Sequence, residues 1–329
     1  LRRTGIRTIL LREGGSELTD AEADAWSVVA EIEPDEDGSD GDELAEGFVA
    51  LLDDLASEDD WLLWVETDRL LPPWATDRTI FDAIDLGPLL EEDAPTSEED
   101  NPEAMPAVAQ ERPALEPLGD PPDEMPIGDG IFRERLHGTY AAAICEFDTL
   151  IGFLLAQLRE KLPDDSASFS LISLSGLSLG EHGSIGPGRA SLHEERVHLA
   201  WIVRLPKHRL AGQRFACPTQ PADILPTLFR GHRGASAREM IGAERPYAVS
   251  WTSTDAGATI GLRLPDWYAI LTPDARGAKL FLKPDDRWEV NEVGQQHAEW
   301  VEELQTFARA WRTGEPLPNL GEPGNADSP

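Results

Sequence analysis

Apolar residues run nearly unbroken at 61–65 (WLLWV), the pattern of a strand buried on both faces in a parallel sheet, and 6–11 (IRTILL) also reads as a strand. Between them, residues 18–32 read as partly helical. A second helix ends near Ala56 and places Leu44, Phe48, Leu51, Leu52 and Leu55 on one face. Pro72, Pro73 and Trp74 then turn the chain. The longest periodic stretch, 131–161, repeats Tyr140, Ile144, Phe147, Ile151, Leu154, Leu155 and Leu158 at spacings of three and four, which predicts a long helix with that stripe facing the core. Two further buried strands are predicted at 169–174 (FSLISL) and 198–205 (HLAWIVRL), and a helix at 221–229 that Pro226 bends or divides. Short strand candidates follow at 247–252, 268–271 and 279–282, then a final helix at 295–311. Strands and helices that alternate and then give way to strands predict a layered α/β/α fold with a mostly parallel central sheet, plus a small C-terminal antiparallel sheet and helix. The expected division is 1–240 for the main domain and 241–329 for the subdomain and tail.

Two segments stand outside this pattern. Residues 31–46 (EIEPDEDGSDGDELAE) are too charged to pack and read as a mobile acidic loop. Residues 91–126 are rich in proline and carboxylates, with little periodicity, and read as an insertion. In the first, Asp35, Asp37, Ser39, Gly41, Glu43 and Glu46 have the spacing of a calcium loop. Asp40, however, sits where the sharp turn needs glycine, so a solvated charge run is the better reading.

Charge removes some partners. With 62 acidic against 28 basic residues and a net charge of −34, the surface repels phosphate backbones and anionic membranes, so nucleic acid and membrane are not expected partners. No unbroken apolar run is long enough to predict a membrane span, and no signal-peptide pattern opens the chain, which favours the cytoplasm. The chain begins at Leu1 with LRRTG and enters a strand at once, which suggests that preceding structure has been cut away. A sheet lacking that structure exposes an apolar edge, so self-association is expected. Cys145 falls in the helical pattern as a core residue and Cys217 in a loop, with no neighbours spaced for metal or redox chemistry.

The densest chemistry lies at 173–198 (SLSGLSLGEHGSIGPGRASLHEERVH), which opens at the end of a buried strand, where α/β folds place their sites. Glycines 176, 180, 183, 186 and 188 imply tight turns or close backbone approach. His182, His193, His198, Glu181, Glu194 and Glu195 are candidate ligands or acid/base groups, and Ser175 and Ser178 have histidines nearby in sequence. Nothing in the spacing sets a base against either hydroxyl.

This segment resembles the sulfatase family of the alkaline-phosphatase-like superfamily. That family has a strand ending Ser-Asp-His/Asn-Gly and then Glu-x-x-Gly-Glu-His-Gly. Here the matching residues are Ser173, Leu174, Ser175 and Gly176, followed by Leu179-Gly180-Glu181-His182-Gly183. LRRTGIRTILL resembles the family's Leu-x-x-Ala-Gly-Tyr-x-Thr segment. WLLWVETDRLLPPW is similar to the strand and loop that carry a histidine toward sulfate, with Asp68, Arg69 and Leu70 in that region instead. Tyr140, Asp148 and Gly152-Phe153-Leu154-Leu155 follow the pattern of the long family helix. Arg189 takes the place of a sulfate-contacting lysine, and the later strands and tail follow in family order.

For an active member the resemblance implies a divalent cation, such as calcium, and a formylglycine made in a Cys/Ser-x-Pro-x-Arg motif. No such motif occurs in this sequence, and Leu174 and Ser175 stand at metal-ligand positions. Truncation of an ordinary sulfatase explains the first loss but not the second. The expectation is therefore a degenerate metal site with no metal ligands, no cofactor and no catalytic residue. On that reading the chain is a non-catalytic homologue keeping weak binding of a sulfated or other anionic ligand through Arg189, His182 and His193. The alternative is a sulfuric ester hydrolase, dependent on a divalent metal and formylglycine, whose N-terminal catalytic part lies outside this chain.

Overall fold

The computed structural model describes residues 5–14, 17–32, 42–58, 60–84, 115–162, 166–187, 191–234, 245–254, 257–274 and 277–320. Most of the acidic run at 31–46, the greater part of the 91–126 insertion and Arg189 lie outside these residues, so the calcium-loop reading falls there too. Two compact units emerge: Leu1–Asp165 with His182–Gly186, and Ser166–Glu181 with Pro187–Pro329.

In the first unit, β1 (Arg7–Glu13) is the central strand of a three-stranded parallel sheet, between β2 (Val28–Ile32) and β3 (Trp61–Thr67). Ile9 pairs with Val28 on one side and Leu63 on the other. Apolar side chains on both faces of β1 leave Ile9, Leu10 and Leu11 buried. The chain between β1 and β2 holds only a one-turn helix, α1 (Asp20–Ala23), so the segment expected to be partly helical is largely strand and turn. The helix α2 (Glu43–Leu55) starts where the Asp42 side chain accepts the Ala45 N–H at 3.0 Å. It buries Leu44, Phe48, Leu52 and Leu55, as the periodicity requires. A short helix, α3 (Arg78–Ala83), precedes the long α4 (Gly130–Lys161).

The face that α4 buries only partly follows the expected stripe. Leu136, Thr139, Ala143, Leu150, Leu154 and Leu158 are buried, while Ile144 is 43% exposed. Small residues such as Gly138, Ala142 and Ala143 share the packed side with four leucines, while Ile131, Ile144 and Phe153 remain outside. Cys145, expected in the core, is exposed as a result. By length and composition α4 is the one helix among the described residues long and apolar enough to cross a membrane.

The second unit contains β4 (Phe169–Ile172) paired antiparallel with β7 (Trp201–Arg204), and a four-stranded antiparallel sheet. Its order is β11 (Lys279–Leu282), β10 (Trp267–Leu271), β9 (Gly257–Arg263), β8 (Ala248–Thr254). Alternation along β10 serves two layers. Trp267, Ala269 and Leu271 join Ile260, Leu262, Leu280 and the helix α7 (Ala298–Thr313) through Trp300, Leu304 and Phe307. Tyr268 and Ile270 turn to the other face, with Phe281 and Val197 of α5 (Glu194–Val197). The short β5 (Ser178–Leu179) precedes that segment and α6 (Ile224–His232) follows β7, while β6 (Ile185–Gly186) falls in the first unit. The layered α/β arrangement with a parallel central sheet and an appended antiparallel sheet and helix matches the sequence expectation.

Candidate functional site

Among the described residues, the ends of β1 and β3 carry no free anion receptor. Arg69, in the loop where the sulfatase pattern has a sulfate-facing histidine, donates to Glu13 through Nε at 2.6 Å and Nη2 at 2.5 Å. Its Nη1 and Nη2 donate to Asp42 at 2.7 and 2.9 Å. Two carboxylates thus neutralise the guanidinium, and Thr67 completes the cluster by donating to Glu13 at 2.7 Å. This arrangement fixes the α2 start to the sheet and leaves the arginine no charge to offer.

After β4, Leu174 is 63% exposed and Ser175 is exposed, so neither family ligand position offers a pocket or a charged oxygen. Gly176 has a different role. Its N–H donates to the Arg196 carbonyl at 3.1 Å, and a Cβ at 176 would fall on the Glu195 carbonyl oxygen and the Arg196 backbone. The loop after β4 is therefore docked against α5 by the absence of a side chain. Gly176→Ala is expected to cost about 1–3 kcal/mol through overpacking against rigid backbone. Thermal unfolding of that variant unchanged from the parent would remove this contact from the account.

The chemistry concentrates at α5. His193 is its N-cap residue but makes no side-chain capping bond. Its Nδ1 instead meets Glu289 Oε2 at 2.5 Å, and its Nε2 lies 3.5 Å from Lys279 Nζ. Glu289 is fully buried and has a left-handed φ of 57°, a backbone conformation uncommon for a side-chain-bearing residue. Lys283, 1% exposed at its side chain, is ion-paired to Glu194 and lies 3.3 Å from Glu289 Oε1. It also donates to the carbonyls of Asp286 at 2.9 Å and Arg287 at 3.3 Å. The Asp286 carboxylate accepts the N–H groups of Val290 and Asn291 at 3.0 and 2.9 Å, which pins the loop carrying Glu289. Below the lysine lies the Tyr268 ring, with the centroid 5.9 Å from Nζ. Burial, and the carboxylates of Glu289 and Glu194, push the Tyr268 phenol well above its usual range, so it stays a neutral donor to the Leu192 carbonyl.

His198 joins the far end of this chain of charges, with Nδ1 2.9 Å from Glu194 Oε1. Burial alone would raise the Glu194 carboxyl, but hydrogen bonds from His198 and Lys283 outweigh it and hold the group at about 2. A depressed folded value means its stabilisation is complete above the ordinary 4.5 and is lost as pH falls through about 2. Acid titration of stability is therefore expected to be shallower in Glu194→Gln than in the parent over that window. Identical titrations would show that Glu194 carries no such linkage.

These positions correct three expectations. Among the described residues, His182, His193 and Glu289 each offer a ligand atom, and these atoms lie within 4.8 Å of one another. A degenerate metal site and the absence of any cofactor were inferred chiefly from Leu174 and Ser175 at the family's ligand positions. The group that can hold a cation is built elsewhere, and its carboxylate comes from a loop 96 residues beyond His193. Two imidazoles, one of them backed by the Glu289 carboxylate, suit a borderline divalent ion such as zinc, in contrast to the all-oxygen shells of calcium. Glu289 and Lys283 escaped the sequence reading, since no local motif marks a glutamate that acts by folding back.

Neither a protein-family model nor a curated protein matches the sequence. Solved structures match the fold. Phosphonate monoester hydrolase of Agrobacterium radiobacter aligns with a TM-score of 0.65 at 16% identity, over 95% of this chain and 79% of that one. A 2-O GAG sulfatase aligns at 0.59 and 13% identity, over 95% of this chain and 73% of that one. A protein solved with its substrate, D-glucosamine-2-N,6-O-disulfate, aligns at 0.57 and 14% identity, over 99% and 82%. Together with the His/His/Glu group, these likenesses overturn the third expectation, that the chain is a non-catalytic homologue. The fold is that of the sulfatases and phosphonate monoester hydrolases.

Proposed function

We propose that the chain belongs to a metal-assisted hydrolase of sulfuric esters, with phosphonic and phosphoric esters as related substrates. The carrying observation is the His182, His193 and Glu289 group on a fold shared with such enzymes. A divalent cation held there would polarise the ester oxygens as a Lewis acid. His193 is oriented for that task by Glu289, and Glu289 is held in turn by Lys283. Lys279 Nζ, 3.5 Å from His193 Nε2, brings a positive charge beside the site and favours an anionic substrate. Arg189 remains the proposed further contact for the anionic group. The disulfated glucosamine bound by one of the similar proteins makes sulfated saccharides the ligand class to try first. The C-terminal subdomain, proposed over 241–329, has the role of delivering Glu289, Lys279 and Lys283. A formylglycine nucleophile would have to come from outside these 329 residues, since no Cys/Ser-x-Pro-x-Arg motif occurs in them.

The test is hydrolysis of p-nitrophenyl sulfate, phosphate and phenylphosphonate by chelator-treated protein, with zinc, manganese or calcium restored in turn. Turnover should return with a transition-metal ion and fall by roughly 100-fold or more in His193→Ala, as for loss of a metal-orienting group. No turnover of any ester with any of the ions would sink the proposal.

A further inference from the structure

Glu289 is placed to do something other than bind a cation. Its Oε2 is engaged by His193 Nδ1 at 2.5 Å, and its Oε1 faces Lys283 Nζ at 3.3 Å. Oε2 is thus engaged by the imidazole, while Oε1 is buried and ion-paired with the ammonium without a hydrogen bond. A fully buried carboxylate beside an ammonium acts as an acceptor, and a carboxylate acceptor requires the proton of the pair to sit on the imidazole. Lys279 is consistent with this from the opposite edge. An ammonium only donates, and it lies 3.5 Å from Nε2, so that nitrogen is the one bearing a lone pair.

We infer that Glu289 is the positioning carboxylate of His193: it fixes the Nδ1–H tautomer and puts the ring's lone pair on Nε2. The cost of a left-handed non-glycine backbone at 289 is consistent with this role. Buried glutamate and solvent-facing neighbours alternate there, since Trp288 and Val290 are both exposed. Lys283 serves one step further back. Its ammonium lies 3.3 Å from Glu289 Oε1 and is also ion-paired with Glu194. The three-member ligand group then resolves into unequal roles, with imidazole nitrogen toward the ion and carboxylate behind the imidazole. The choice of metal or proton rests on the proposed hydrolase reading; the tautomer does not.

The experiment is long-range 1H–15N correlation spectroscopy of the full chain carrying 15N-labelled histidine, with the His193 signals assigned by their loss in His193→Gln. The expected result is a protonated Nδ1 and an unprotonated Nε2 in the parent. Glu289→Gln, whose amide can present either a donor or an acceptor, should shift this toward a mixture of tautomers, and zinc should move the parent's Nε2 resonance far more than its Nδ1. Zinc affinity should fall about 10–100-fold in Glu289→Gln. An Nε2–H tautomer in the parent would overturn the inference, as would a glutamine variant with the parent's spectrum and affinity. Should Glu289→Gln not fold, the parent tautomer and its zinc response still decide the matter. Absence of ester hydrolysis would count against the enzyme reading while leaving this result intact.

Discussion

Replacing Lys283 by alanine is expected to cost the folded protein about 3–5 kcal/mol, the range for removing one partner from a buried ionic group. The size follows from the charges left behind. Lys283 is 1% exposed at its side chain, Glu289 is fully buried and Glu194 is 19% exposed. Without the ammonium, two carboxylates would face a cavity in a low-dielectric region, and the carbonyls of Asp286 and Arg287 would lose their donor. The desolvation of these groups makes the intact network a poor source of net stability, even though breaking it is severe. Neutralising the whole network at once leaves no unpaired charge. The triple variant Lys283→Met, Glu194→Gln and Glu289→Gln should therefore recover most of the loss. Urea unfolding near neutral pH distinguishes the cases. A Lys283→Ala variant within about 1 kcal/mol of the parent would mean that water reaches the network and screens it.

The network also shows where sequence patterns stop. A nearly continuous apolar run announces β3, and the Ile9-Leu10-Leu11 core announces β1, the central strand, which is buried on both faces. The helices α2 and α7 are legible because each buries a stripe set by its own periodicity. The strand β9 is illegible for a physical reason: its run GATIGLR contains Gly257 and Gly261, which lower strand propensity. Gly261 is there because a Cβ would stand 2.5 Å from the Tyr268 hydroxyl oxygen. Tyr268 needs that space to reach Leu192, so a long-range packing demand erases a local signal. The α4 stripe misleads in part: Leu154 and Leu158 are buried as expected, but Ile144 is exposed and the packed side also takes Gly138, Ala142 and Ala143. In the candidate site, the histidines stand out from their glycine-rich surroundings, and Arg69 can be named as a departure from the sulfatase pattern. Glu289 cannot be distinguished from the many other carboxylates, because its role depends on a folded loop bringing it to His193.

Zinc is expected to raise the unfolding free energy of the parent by about 2.7 kcal/mol when its free concentration is one hundred times the dissociation constant, with no corresponding gain in His193→Ala. The selectivity should follow the donors. Imidazole nitrogen favours zinc over calcium, which requires six to eight oxygen ligands that this group does not supply. Calcium at the same concentration should therefore leave the transition unchanged. Lys279 gives the expectation a second, opposing handle. Its ammonium lies 3.5 Å from Nε2, so an incoming cation must displace it or bear its repulsion. Lys279→Met should consequently bind zinc more tightly than the parent while binding sulfate esters less well. A mutation that strengthens the metal and weakens the anion separates the two roles of this corner, which simple unfolding could not do. Equal stabilisation by zinc and calcium, or a zinc response that persists in His193→Ala, would place the cation elsewhere on this acidic protein.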